Sequence, residues 1–210
     1  PSAQLLAVGC FDGRLHLLSG LSKTALAVLT HNLTLACSEV GDSRHVAVFR
    51  EEPATERCDE VGGRQANQPR YVQLQNLAAI RVPEERLAQE VPLDSEGVPR
   101  QGISVALWSP DERYLATRHD GMPSTVWVWD IRCLTLAALL MHRSHVRSIA
   151  WDPAATEPTR SCQEHPGFEA RLAISTADAR MFLWSPGAAV ALASPLPGPR
   201  LQWRSDGLAL

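Results

Sequence analysis

The 210-residue sequence contains little that would indicate a membrane protein or a nucleic-acid-binding protein. No apolar run reaches the roughly 18 residues of a membrane span, and residues 1–4 lack the basic cluster that opens a signal peptide. A formal charge of −3 and an isoelectric point near 6.2 argue against the basic surface that nucleic-acid binding needs. We therefore expect a cytoplasmic protein that binds neither membrane nor nucleic acid.

Patterns that would hold a metal or a cofactor are also missing. The five cysteines include no CxxC pair and are odd in number, which favours reduced thiols in the cytosol over disulfides or zinc. His142 and His145 form an HxxH pair, but only Cys133 or Cys162 could supply a third ligand. Residues 61–64 contain two glycines without the spacing of a phosphate loop. We expect no metal, no cofactor and no small-molecule substrate.

Internal repetition is the most informative feature of the chain. The phrase V-A-L-W-S-P-D at residues 105–111 returns as S-I-A-W-D-P at 148–153 and, more weakly, at 201–210. Trp108 and Trp151 are about 43 residues apart, which fits a β-propeller repeat of roughly 40–45 residues. A polar insertion at 154–170 makes the next interval longer.

A second phrase supports the same register. Residues 12–20 match residues 178–186 position for position, and residues 126–130 read V-W-V-W-D, which ends in a Trp-Asp dipeptide. Each phrase is typical of a strand, a tight turn, a second strand and a polar break. The sequence therefore predicts an all-β chain built as a WD-repeat β-propeller.

The repeats divide the chain into a single partial propeller domain over residues 1–210. The predicted blades span about 1–30, 32–83 (degenerate), 102–140 and 146–196, another begins at 201–210, and exposed loops are expected at 51–69, 84–101 and 154–170. The degenerate blade contains strand-like segments at 46–49 and 71–74. This amounts to about three and a half to four blades of a larger ring, and some three and a half blades cannot close the usual ring of four to eight. We therefore expect the chain to be part of a longer propeller protein.

The best-matched repeat allows specific structural predictions. Residues 103–131 should form three antiparallel strands, with a turn near Asp111–Glu112 and a longer one from His119 to Thr125. Trp127 and Trp129 lie two apart on one strand and should pack between blades, although an exposed aromatic contact is the alternative. Trp129 and Trp184 should both be largely buried.

The stretch at residues 114–131, L-A-T-R-H-D-G-M-P-S-T-V-W-V-W-D-I after its first tyrosine, is more specific than a general WD repeat. It resembles the WD repeat-containing protein 8 family, centrosomal WD-repeat proteins encoded antisense to a tumour-suppressor gene. Residues 151–153, 171–175 and 183–186 are similar to that family's next repeat, and residues 5–13 to an earlier one. The resemblance implies that this chain corresponds to the C-terminal part of that family's propeller.

The resemblance also implies a function. It suggests a non-catalytic scaffold at the centrosome or spindle pole that anchors microtubule minus ends in mitosis. Its expected partners are a coiled-coil centrosomal anchoring protein and a minus-end-directed kinesin. Two alternatives remain: a WD-repeat adaptor in another complex, such as a ubiquitin-ligase substrate receptor, and a hydrolytic propeller enzyme.

Two groups of residues are candidates for a structural or a partner-binding role. Typical WD repeats hold a hydrogen-bonded His, Ser or Thr, Asp and Trp, and His145, Asp178 and Trp184 fit that pattern with Ile174 at the Ser/Thr position. A structural role is favoured over catalysis, because no nucleophile stands at matching spacing. Partner-binding candidates on strand-connecting loops are Arg118, His119, Met122 and Arg147, with an ordinary solvated surface as the alternative.

Overall fold

The computed structural model describes residues 4–36, 46–53, 70–74, 79–84, 102–153, 170–193 and 200–203. Within those ranges the chain forms fifteen β-strands and no α-helix, which confirms the all-β prediction. The strands are β1 (Leu5–Gly9), β2 (Arg14–Ser19), β3 (Ala25–Thr30), β4 (Thr34–Ala36), β5 (Ala47–Glu52), β6 (Arg70–Leu74), β7 (Ala79–Arg81), β8 (Ile103–Trp108), β9 (Tyr114–His119), β10 (Thr125–Asp130), β11 (Thr135–Met141), β12 (Val146–Trp151), β13 (Leu172–Thr176), β14 (Arg180–Ser185) and β15 (Ala188–Ala193).

The described strands form antiparallel meanders of the kind that make propeller blades. β1, β2 and β3 form a three-stranded sheet, and β12 to β15 form a four-stranded sheet in chain order. β8 to β11 form a second four-stranded meander, whose outer strand β11 also pairs with β5. β4 and β7 form a separate two-stranded ladder.

The three antiparallel strands predicted across residues 103–131 are confirmed as β8, β9 and β10. The Ser109 hydroxyl builds the β8–β9 turn: it donates to Asp111 Oδ1 at 2.5 Å and accepts from Tyr114 N at 2.8 Å. Glu112 adopts a left-handed φ of 58°, which lets the chain reverse within a few residues. The Ser-Pro-Asp phrase therefore ends one strand and starts the next.

Two apolar clusters fill the spaces between the sheets, and β10 contributes to both. Trp127 and Trp129 pack with Leu15 of β2 in one cluster. Val128 packs with Phe182 of β14 in the other cluster, on the opposite face. Residues two apart on a strand share a face, so both tryptophans lie between blades, as predicted.

The buried tryptophans confirm the register of the repeats. Trp129 exposes 6% and Trp184 exposes 3% of its surface to solvent. They occupy equivalent places, because Trp129 pairs with Leu115 of β9 and Trp184 pairs with Leu172 of β13.

The stretch predicted as a degenerate blade at 32–83 does not form one sheet of its own. β5 pairs in parallel with β11, and β6 pairs with β5, so this hairpin extends the β8–β11 blade to six strands. β4 and β7 pair with each other instead. The outer strand of a blade presents unpaired backbone groups, and a β-rich segment can add to that edge.

The loop prediction at 51–69 was wrong at its start. Glu51 and Glu52 are the last residues of β5, and Glu51 is only 3% exposed. Its carboxylate is ion-paired with Arg180 of β14, which accounts for its burial. In the loops predicted at 84–101 and 154–170, Glu84 is exposed and Ala170 is buried. The other residues of those loops, and residues 54–69, lie outside the described ranges.

Candidate protein-interaction site

Thr117 on β9 is the centre of a buried hydrogen-bonded set. Its hydroxyl oxygen lies 2.7 Å from His31 Nε2 and accepts a hydrogen bond from Trp129 Nε1 at 2.9 Å. A hydroxyl offers one donor and two acceptor sites, so Thr117 can bridge both rings, and the direction of its bond to the imidazole follows the His31 tautomer. This is the His, Ser/Thr and Trp combination expected of a WD repeat, and it forms in the β8–β11 blade.

The histidine of this set is held neutral by its surroundings. The pKa of His31 is lowered to about 3, mainly by burial and also by nearby His119, while the Gly13 backbone acts in the opposite direction. Burial also lowers the pKa of His119, against the effects of Asp120 and Glu84. The two imidazole centroids are 6.2 Å apart. Two protonated rings at that distance would repel, so neutral forms are favoured at pH 7.

The set is suited to stabilising the fold. Thr117 is fully buried, so its hydroxyl cannot meet a substrate from solvent. The His31 ring also contacts Trp127 and Trp129 edge-on, with centroids 4.9 and 5.4 Å away. These contacts join the segment after β3 to the next blade.

The β12–β15 blade lacks the central hydroxyl. Ile174 pairs with Phe182 as Thr117 pairs with Trp127, so it occupies the threonine position. Trp184 Nε1 is buried without a hydrogen-bond partner among the described residues. An apolar side chain at this position therefore leaves the indole unsatisfied.

The corresponding histidine of the β12–β15 blade belongs to an aromatic stack. His142 follows β11 directly, as His31 follows β3, and its ring stacks on Tyr71 with centroids 5.5 Å apart. The Phe182 ring lies 4.5 Å from His142 on centroids. Burial lowers the pKa of His142 to about 3, with Asp178 opposing, and burial raises the pKa of Tyr71, reinforced by Glu51.

The structure places the three residues of the predicted WD set in different surroundings. His145 is exposed, and its carbonyl accepts a hydrogen bond from Ala177 N at 2.9 Å. Asp178 Oδ1 accepts from the Thr176 hydroxyl at 2.7 Å. Burial raises the pKa of Asp178, but hydrogen bonds from Thr176 and Ser144 and the charge of Arg180 bring it below its usual value. Trp184 lies in the core between blades.

The four predicted partner-binding residues also differ in exposure. Arg147 is exposed and His119 is half-buried. Arg118 donates to the Val146 carbonyl at 2.8 Å and to the Ser104 hydroxyl at 3.2 Å, so it ties β9 to the neighbouring strands. Met122 is 2% exposed and belongs to the apolar core, because the turn before β10 directs it inward. Met122 is therefore not available to a partner in this structure.

Sequence reasoning missed His31, Thr117 and Trp129 as a hydrogen-bonded set. The signal that could have found it is positional: each of His31 and His142 immediately follows a strand that closes a blade. The segment from β4 to β7 separates His31 from Thr117 by 86 positions, which hides the relationship along the chain.

Within the described residues, no group of three or more His, Cys, Asp or Glu side chains could hold a metal ion. Of the HxxH pair, His142 is buried with Nε2 3.3 Å from the Tyr71 hydroxyl, whereas His145 is exposed. Cys10 and Cys133 carry free thiols, and the other three cysteines lie outside the described residues. Among the described elements, no helix is long and apolar enough to cross a bilayer.

Comparison with known proteins supports the repeat assignment. The chain is 29% identical over 221 aligned residues to the mouse WD repeat-containing protein WRAP73, and the match covers all of this chain. It covers 43% of the mouse protein, so the chain spans less than half the length of this relative. No model of a known protein family matches the sequence.

Among solved structures, a chain from the crystal structure of the mitotic checkpoint complex aligns with 95% of this chain and 51% of its own length. The TM-score is 0.37 and the identity 14%, a likeness too distant to support an argument. The blade meanders, together with the WD-repeat relative, identify the fold class as a partial WD-repeat β-propeller.

Proposed function

We propose that these blades form part of a non-catalytic protein-interaction scaffold. The observation that carries the proposal is that the polar groups of His31, Thr117 and Trp129 hydrogen-bond to one another inside the fold. The similarity to a WD repeat-containing protein along the whole chain supports the same class. Propeller loops are the usual positions for partner contacts, because a rigid sheet scaffold holds them in place.

We further propose that the scaffold acts at the centrosome or spindle pole and anchors microtubule minus ends. The support for this location is the resemblance of residues 114–131 to a centrosomal WD-repeat family. Its partners would be a coiled-coil anchoring protein and a minus-end-directed kinesin. Binding would depend on a few well-packed contacts rather than on the whole contact area.

Imaging of the tagged full-length protein in dividing cells tests the location. We expect enrichment at spindle poles, and disturbed spindle anchoring when the protein is depleted. A protein that stays diffuse through mitosis would contradict the spindle-pole proposal and favour an adaptor role in another complex, such as a ubiquitin-ligase receptor.

A charge reversal at Arg147 tests the interaction surface. Arg147 is exposed, so Arg147→Glu should weaken co-purification with the coiled-coil partner while the melting temperature stays unchanged. Reversing Arg118 is a poor test, because it would also remove that side chain's hydrogen bonds to Val146 and Ser104. Wild-type recovery of the partner by Arg147→Glu would place the contact elsewhere.

A further inference from the structure

A cleft of about 550 Å³ lies where the β5–β6 hairpin and β7 meet the turn between β11 and β12. Leu74, Ile80 and Met141 supply apolar lining, and Ile80 and Met141 are almost fully buried. The volume lies within the range of about 300–1,000 Å³ that is usual for ligand sites. The hairpin added to the blade edge therefore creates a concave surface beside the inter-blade turns.

The charges that line the cleft are mainly positive. Arg50, Arg81 and Arg143 are all exposed at its walls. Arg50 lies 3.8 Å from the Glu52 carboxylate, a loose and solvated ion pair. For the side-chain guanidinium groups of Arg81 and Arg143, the described residues provide no salt bridge.

The two lining glutamates offset this charge only in part. The Glu51 carboxylate is fully engaged, since one oxygen is ion-paired with Arg180 and the other accepts from Arg143 N at 2.9 Å. Glu84 is exposed and is the remaining acidic group in the lining. A ligand therefore meets a cationic rim above an apolar floor.

We propose that this cleft binds an acidic peptide segment of a partner protein. Its carboxylates would pair with Arg81 and Arg143, and a neighbouring apolar side chain would pack on Ile80 and Met141. The planar arginine fork matches a carboxylate in two-point contact. The apolar floor and the volume favour a peptide over a small inorganic anion, which would leave the floor uncovered.

This inference adds the chemistry of a partner to the scaffold function and does not depend on the spindle-pole location. Peptide binding is measured with purified protein, whereas the location is measured in cells, so each can fail alone. The cleft lies beside His145 and Ser124, which also line it. Contacts in the cleft would therefore continue onto the inter-blade turns.

Fluorescence anisotropy with the full-length protein tests the proposal. The probe is a labelled twelve-residue peptide that alternates leucine with aspartate or glutamate. One comparison peptide replaces its acids with the matching amides, and another replaces leucine with serine. We expect the acidic leucine peptide to bind, each comparison peptide to bind at least about fivefold more weakly, and added salt to weaken binding.

Paired variants assign the binding to the cleft. Arg81→Glu combined with Arg143→Glu should lower the affinity at least about tenfold, because two attractions become repulsions. Arg132→Glu is the matched control: this exposed arginine follows β10 at the end away from the cleft, and its reversal should change affinity less than about twofold. If the double reversal fails to fold, Arg81→Gln with Arg143→Gln should still weaken binding several-fold.

Several results would overturn the proposal. They are equal binding of the amide peptide, wild-type affinity in both double variants, or an equal loss in Arg132→Glu. If millimolar inorganic phosphate competes with the peptide, and the leucine and serine peptides bind equally, the cleft is a simple anion site and not a peptide site.

Discussion

Thr117 joins two side chains that belong to different parts of the sequence, the His31 imidazole and the Trp129 indole. The matching position in the next blade is Ile174, and there the Trp184 indole has no hydrogen-bond partner among the described residues. Two blades with the same strand order thus differ in whether the indole at this position is hydrogen-bonded. The difference lies in a single hydroxyl group.

Removing that hydroxyl should destabilise the protein. Thr117→Val keeps the shape but leaves Trp129 Nε1 and His31 Nε2 buried without their partner, at a cost of about 2–4 kcal/mol in the free energy of unfolding. Thr117→Ser retains the hydroxyl and should stay within about 1 kcal/mol of wild type. Urea unfolding of the full-length protein measures both. Equal stability of the valine and serine variants would show that the hydrogen bonds contribute little.

The buried histidines predict acid sensitivity. The pKa values of His31 and His142 fall from 6.5 to about 3 in the folded protein, mainly through burial. Between those limits the unfolded chain binds more protons than the folded one, so stability falls as the pH decreases from 6.5 towards 3. Each histidine contributes up to about 1.4 kcal/mol per pH unit in that window.

Urea unfolding at pH 7, 6 and 5 measures this slope. A free energy of unfolding that stays constant from pH 7 to pH 5 would contradict the neutral, buried state of both rings. His142→Phe should reduce the slope, because phenylalanine can keep the aromatic stack with Tyr71 and Phe182 while it removes one titrating group.

At the scale of elements, the β5–β6 hairpin is held by an ion pair as well as by strand pairing. Glu51 reaches from β5 to Arg180 on β14, so a strand added to one blade is attached to the next blade. Arg180 also lies 3.3 Å from the Asp178 carboxylate. Phe49 and Tyr71 of the hairpin stack on each other. Phe49 belongs to the apolar cluster between those blades, and Tyr71 packs against it.

Neutralising Glu51 should loosen this attachment. Glu51→Gln leaves Arg180 beside an uncharged amide and should lower the free energy of unfolding by about 1.5–3 kcal/mol, the range for a hydrogen bond to a charged group. Glu52→Gln is the adjacent control: its side chain is 41% exposed with a loose pair to Arg50, so the change should stay within about 0.5 kcal/mol. Equal effects of the two variants would contradict a special role for Glu51.

Sequence periodicity predicted the strands of the well-matched repeats because their apolar residues and turns recur at fixed spacing. The strands at 46–49 and 71–74 were also predicted, as β5 and β6, but the pairing of β5 with β11 was not. Alternation of apolar and polar residues indicates a strand without indicating which edge it will join. Glu51 was placed in a loop because proline and charged residues concentrate over 51–69, and the partner that allows its burial, Arg180, lies 129 positions away.

The candidate site could be predicted only in part for the same reason. The Trp-Asp phrase located the blade, and Thr117 lies within the phrase that was recognised. The histidine that completes the set comes before the β4–β7 segment, outside the repeat's usual spacing. Met122 was expected on a surface loop, but the fold of the turn buries it, and turn residues alone do not specify that direction.

At the scale of the molecule, the first sheet has one packed face and one exposed apolar face. Leu15, Leu17 and Leu29 point into the core, whereas Leu6 is 56%, Leu26 is 52% and Val28 is 46% exposed. Leu6 pairs with Leu18 of β2 and lies two residues from Val8 on β1, as Leu26 lies two residues from Val28 on β3, so the exposed apolar side chains share one face of the sheet. A contiguous apolar surface of this kind promotes association.

Residues 1–210 expressed alone should therefore self-associate. Leu26→Lys with Val28→Lys should increase the fraction that elutes as a monomer in size-exclusion chromatography with light scattering. Leu134→Lys, at a lone exposed leucine in the turn after β10, should change nothing. A wild-type chain that is fully monomeric at micromolar concentration would contradict the expectation.

The hydrogen bond between His31 and Thr117 has a consequence for how the chain tolerates insertions. It closes a loop of 86 positions, more than twice the separation of the equivalent His142 and Ile174 in the next blade. The entropy of closing a flexible loop grows only with the logarithm of its length, so the longer loop costs under about 1 kcal/mol more. Blade-to-blade contacts can therefore survive the lengthening of a connection, and a propeller can acquire a new surface, such as the β5–β7 segment, at little thermodynamic cost.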